Sequence, residues 1–120
     1  MALNKVTGRV RIKVSGKLLL SKHGAELDFG GVKRTPIIGS NGIHGYSEET
    51  VAPTVTCSVS HRADTSLEEL ANYVDETLVF ETDSGHSYVL AGAFLSESPK
   101  LMEREGEVRL AFAGISCDEI

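Results

Sequence analysis

The chain has 120 residues, 41% hydrophobic and 24% charged, with 12 basic against 17 acidic side chains and a formal net charge of −5. That length supports one core and not two, so residues 1–120 read as a single domain. No apolar run approaches membrane-spanning length, and the acidic balance disfavours a general nucleic-acid binder.

Met1-Ala2-Leu3-Asn4-Lys5 lacks the apolar stretch of a secretory signal, so a cytoplasmic origin is expected. Residues 1–22 carry Lys5, Arg9, Arg11, Lys13, Lys17 and Lys22 and no acid. All 17 acidic residues follow, with the other six basic ones. Such polarity suits subunits that meet positive end to negative side.

Arg9-Val10-Arg11-Ile12-Lys13-Val14 alternates strictly and predicts a half-buried strand with Val10, Ile12 and Val14 inward. Ser15-Gly16 is a turn signal, and Lys17 to Ser21 is expected to return as a partner strand. Arg9, Arg11 and Lys13 share the outward face, as solvated edge charges or as a docking face for an acidic partner.

The segment from Lys22 to Thr50 is far longer than an ordinary connection. Gly24, Gly30, Gly31, Gly39, Gly42, Gly45 and Pro36 interrupt both helical and strand periodicity, which predicts a long loop over 22–50. It nevertheless carries Leu27, Phe29, Val32, Ile37, Ile38, Ile43 and Tyr46. These are too few to offset the entropy of ordering so long a segment alone. The expectation is a loop mobile in the free subunit and ordered by a partner. Turn formation accounts for Gly39-Ser40-Asn41-Gly42, which lacks the lysine and spacing of a phosphate-cradling loop.

Thr54 to Ser60 is the cleanest strand, with Val55, Cys57 and Val59 inward and a hydroxyl stripe of Thr54, Thr56, Ser58 and Ser60 outward. Thr65 and Glu68 fit a capping box, and Leu67, Leu70, Ala71 and Val74 follow at helical spacing, predicting a short helix at about 66–73. Thr77–Thr82 and His86–Ala91, joined by Asp83-Ser84-Gly85, predict a hairpin. Ser96–Glu105 reads as a second loop and Glu107–Ala113 as a last strand, with Val108, Leu110 and Phe112 inward.

Catalytic patterns are absent. His23, His44, His61 and His86 fall in different segments without HxxxH or HExxH spacing, and no GxSxG occurs. Cys57 lies in the inward register of a strand and Cys117 in the tail, without a CxxC, so both read as reduced structural thiols. No catalytic, cofactor or metal site is expected.

From Gly24 to Glu49 the chain reads GAELDFGGVKRTPIIGSNGIHGYSEE. The landmarks Gly30-Gly31, Arg34, Gly39, Asn41-Gly42 and Gly45-Tyr46 resemble the signature segment of Mu-like contractile-phage tail tube proteins. The likeness continues through Thr65-Ser66-Leu67-Glu68 and the runs around Asp83-Ser84-Gly85 to Gly106-Glu107-Val108-Arg109-Leu110, nearly the whole chain.

The residues themselves give a mainly β fold of antiparallel sheets, sandwich or barrel-like, with one short helix and a long inter-subunit loop. The resemblance implies the phage tail tube fold. It further implies hexameric rings around a shared β-barrel, stacked inside a contractile sheath in the virion tail and assembled in the host bacterial cytoplasm. The implied partners are other copies, the tail sheath protein, and baseplate and tail terminator proteins. DNA would pass through the lumen without specific binding, and no membrane is involved. Under this reading Phe29, Gly30, Gly31, Arg34, Ile37, Ile38, Asn41, Gly42 and Tyr46 carry inter-subunit contact. Thr54, Thr56, Ser58, Ser60 and Glu81 would face the lumen. The alternative is a small β domain binding nucleic acid through Arg9, Arg11, Lys13 and Lys17, although the first 28 residues offer no aromatic platform beside those charges.

Overall fold

A computed structural model describes residues 5–120; the reading of a signal-free N-terminus rests largely on residues 1–4, which lie outside the described residues. Strand β1 (Val10–Val14) buries Ile12 and Val14 and sets Val10 at the core margin. Ser15 and Gly16 turn at φ 50° and 81°, as a two-residue hairpin of right-handed twist requires. The chain then returns as β2 (Lys17–Leu19).

Beyond β2 the chain crosses to the far side of the core. Ser21 bridges Val59, and β3 (Glu26–Asp28) pairs with β6 (Thr54–Ser60). Between them lies a two-stranded hairpin of β4 (Gly31–Gly39) and β5 (Gly42–Val51). The expected 22–50 loop is therefore largely strand. Cross-strand hydrogen bonds satisfy its backbone, and with both faces exposed no buried face imposes an apolar alternation.

Helix α1 (Leu67–Ala71) is shorter than expected and starts one residue later than the capping-box reading. Ser66, not Thr65, is the cap: its Oγ accepts from the Glu69 N–H, while Thr65 Oγ1 accepts from the Arg62 N–H. Leu70 is buried, whereas Val74 is exposed rather than on the packed face. Strands β7 (Glu76–Thr82) and β8 (Ser87–Leu95) form the expected hairpin. The Ser96–Glu105 loop contains a short edge strand, β9 (Lys100–Met102), against β10 (Glu107–Ala113). Nor is β10 the last strand, because β11 (Ser116–Glu119) pairs with β8 and carries Cys117.

The ladder runs β2-β1-β7-β8-β10-β6-β3. At Gly92, φ 63°, β8 leaves its pairing with β11; Ala93 still pairs with Glu76 of β7 across a register shift, and the strand goes on to pair with β10 through Phe94 and Leu95. One flank thus consists of β2, β1, β7, β8 and β11, the other of β9, β10, β6 and β3. Both turn their apolar faces onto one core that includes Ile12, Leu78, Leu90, Val55, Leu110 and Phe112. Among the described residues no closed barrel forms. The strands β2 and β3 end the ladder, and the Ser21–Val59 bridge is an isolated tie across the gap. The helix packs over that gap, with Lys17 Nζ 3.1 Å from Glu69 Oε1.

Candidate assembly surfaces

The β4–β5 hairpin stands out from the body as an arm. Paired strands rise about 3.3 Å per residue, so nine residues span about 30 Å. The molecule measures 62 × 44 × 29 Å with a radius of gyration of 17.5 Å, whereas a compact chain of this length would be near 14 Å.

Its register sorts the expected contact residues by face. Val32, Arg34, Pro36 and Ile38 lie on one side of β4, and their partners Thr50, Glu48, Tyr46 and Ile43 share that side. Arg34 reaches over the Tyr46 ring, 5.9 Å from its centroid, and its Nε is 3.8 Å from Glu48 Oε2. This face is mostly apolar yet open, with Ile38 73%, Ile43 74% and Tyr46 62% exposed. Ile37, paired with Gly45, points to the opposite face with Lys33, Thr35, Ser47 and Glu49, so the expected anchors are not one patch.

A register shift between Ile37 and Ile38 leaves His44 as an extra residue on β5. The imidazole of His44 lies where a side chain on Gly39 would sit. Ser40 and Asn41 then turn the chain into Gly42, φ 117°, which places Asn41 and Gly42 at the tip.

Phe29 is not on the arm. It sits at the arm's root, edge-on to Tyr88 with centroids 6.3 Å apart at 82°. Gly30 and Gly31 follow with φ of 75° and 94°, and the Gly30 N–H donates to Asp28 Oδ1 at 3.0 Å. These two residues bend the chain from β3 into β4.

On the β6 flank the stripe Thr54, Thr56, Ser58 and Ser60 points away from the core, as its alternation requires. Its flanking positions are charged: Asp28 pairs with Thr54, Glu26 with Thr56, Arg109 with Ser58 and Glu107 with Ser60. Lys22 Nζ lies 3.8 Å from Glu107 Oε2 and Lys100 pairs with Arg109, so cations offset the carboxylates and the stripe runs through a surround of mixed charge. Glu81 does not join it. It lies on the outer face of the opposite flank, across from Arg11 and 3.4 Å from Lys13 Nζ.

Burial pushes the Cys57 thiol up to about 12. Burial and then Asp118 raise that of Cys117. Among the described residues no cluster of three or more His, Cys, Asp or Glu could hold a metal, and no helix is long and apolar enough to cross a membrane.

The phage tail tube protein family matches residues 3–119 of the chain. The Mu-like prophage FluMu tail tube protein of Haemophilus influenzae is 34% identical over 113 residues, covering 94% of each chain. The tail tube protein of Escherichia phage Mu is 30% identical over 100 residues, covering 83% of this chain and 84% of its own. The fold is similar to the solved anti-feeding prophage cap, a tube-terminating cap, with a TM-score of 0.68 and 12% identity over all of this chain and 94% of the other.

Proposed function

The chain belongs to the phage tail tube protein family, and on that premise we propose that its copies close into hexameric rings stacked as the inner tube of a contractile tail, the conduit for genome ejection. Its role is structural, as a component of the virion tail, and not enzymatic. The arm is the observation that carries the finer reading. A hairpin with one exposed apolar face projects beyond the body that built it. In a self-assembling tube the surface that meets it is another copy. The arm crosses to a subunit of the adjacent ring, and the unpaired edges of β2 and β3 pair around each ring.

Electrostatics orients the two flanks. A lumen that passes a polyanion must not bind it. The hydroxyl stripe of Thr54, Thr56, Ser58 and Ser60, uncharged itself and flanked by carboxylates and cations that offset one another, therefore faces DNA. The flank bearing Arg11 and Lys13 faces outward to the sheath, and Glu81 goes with it as the partner of Lys13. Tube ends meet baseplate and tail terminator proteins, and assembly takes place in the host bacterial cytoplasm. The nucleic-acid alternative is weakened by the same ion pair, because Glu81 offsets charge on the strand that would hold phosphates.

Electron microscopy of the purified chain over a range of concentrations tests this reading. Rings or hollow tubes are expected. A monomer at every concentration would contradict it.

A further inference from the structure

The core of the body has two unlike ends. At one, α1 inserts Leu70, and Tyr73 lies against Phe112 with ring centroids 6.3 Å apart. At the other, beside the arm root, Leu27, Phe29, Phe80 and Tyr88 line an open groove with Glu119 on its rim. These side chains come from both flanks of the core, and Phe29 is 50% exposed there. The arm ends in a complementary feature, the cross-strand pair Ile38 and Ile43, among the most exposed large apolar side chains of the chain. A copy cannot join its own tip to its own groove, because the paired strands hold the two about 30 Å apart.

We propose that the arm tip of one copy plugs the open end of the core in the next, with Ile38 and Ile43 packed on Phe29 and Tyr88. This rests on the reading of the arm as an inter-subunit element and adds the surface that receives it. Three observations favour a second copy as the occupant. Aliphatic side chains against aromatic rings bury apolar area on both surfaces at once. From Gly39 to Gly45 the tip has His44 as its one ionisable group, so Glu119 on the rim meets no like charge. Pro36 withholds an N–H from β4 and the extra residue His44 disrupts β5, which hinders strand addition along the arm and favours docking by its face.

Symmetry decides between the ways two arms could be used. Arm against arm would be isologous and would stop at a dimer. Tip into root joins unlike surfaces, so it propagates from copy to copy as a stack must.

The test uses assembled protein. Hydroxyl-radical footprinting of the unmodified chain, free and in tubes, should show Ile38, Ile43, Phe29 and Tyr88 protected together on assembly. In parallel, the chain with Ile43→Cys, Tyr88→Cys and Cys117→Ser is oxidised as tubes and run without reductant. A ladder of linked subunits is expected, absent when Ser58→Cys replaces Tyr88→Cys. Protected tips with an unprotected root, or a ladder only with Ser58→Cys, would overturn the pairing while leaving the tube reading intact. If the chain with Ile43→Cys and Tyr88→Cys does not assemble, the footprint of the unmodified chain decides alone. No tubes from the unmodified chain would overturn the tube reading, and this inference with it.

Discussion

A β-carbon built on Gly30 would lie 2.6 Å from the backbone nitrogen of Pro53. The two chain segments that enter and leave the arm therefore touch backbone to backbone at its root. Gly30 also holds φ 75°. Any side chain there adds strain and displaces main chain that has nowhere cheap to move.

Gly30→Ala should then destabilise the chain by more than the roughly 1–2 kcal/mol expected for left-handed backbone alone. Gly31, φ 94°, has open space where its β-carbon would go, so Gly31→Ala should show strain only. Urea unfolding of both variants checks this, with Gly30→Ala expected to be clearly the less stable. Equal losses would mean that the contact with Pro53 does not matter.

Neither cysteine should react in the native chain at neutral pH. Cys57 is buried and its thiol is pushed from 9.0 to about 12. A raised value in the folded state means this contribution to stability is complete below 9.0 and is lost as pH climbs toward 12. A thiol-reactive dye at pH 8 should label Cys57 only in denaturant, and rapid native labelling would contradict the packing.

Asp83 behaves in the opposite sense. The Gly8 N–H donates to its carboxylate at 3.0 Å, with Arg9 and Lys5 adding to the effect, and its pKa is held below the ordinary carboxylate value. A lowered value in the folded state gives a contribution that is present above the ordinary value and lost as pH falls through the folded one. Acid should therefore loosen residues 5–9 from the β7–β8 turn. The Gly8 amide shift, followed by NMR, should titrate with a midpoint below 3.8. In Asp83→Asn that transition should vanish.

The legible parts of the fold were those with one buried face. Val55, Cys57 and Val59 fixed β6 through their alternation, as Val108, Leu110 and Phe112 fixed β10. The arm has no buried face, so Gly42, Gly45 and Pro36 read as breaks although the backbone pairs through them. The edge strands β9 and β11 are too short to leave a pattern. At the helix start Thr65/Glu68 and Ser66/Glu69 fit the same capping rule, and the Arg62 N–H, by occupying Thr65, leaves the cap to Ser66.

The candidate surfaces divide in the same way. The hydroxyl stripe follows from alternation in a single strand. Separating Glu81 from it needs the knowledge that β6 and β7 cover the core from opposite flanks, a non-local fact. The groove is hidden for the same reason, since Leu27 and Phe29 meet Phe80 and Tyr88 only in the fold.

Two lysines on the stripe should interfere with transport. Ser58→Lys with Ser60→Lys places two further cations on the hydroxyl stripe in every subunit, and phosphate contacts accumulate along a channel. Phage carrying the pair should build tails of normal length but deliver DNA more slowly, as followed by potassium efflux or genome entry after adsorption. Unchanged delivery would remove this flank from the lumen.

Assembly into a tube rests on the arm. The Lys33–Glu49 register pair marks a clean excision: removing the arm beyond it and joining the strands through an Asn-Gly turn leaves the core residues untouched. Electron microscopy of the intact and shortened chains at matched concentration is the most direct measurement. Tubes are expected from the intact chain and folded, dispersed subunits from the shortened one. Normal tubes from the shortened chain would contradict the arm's role.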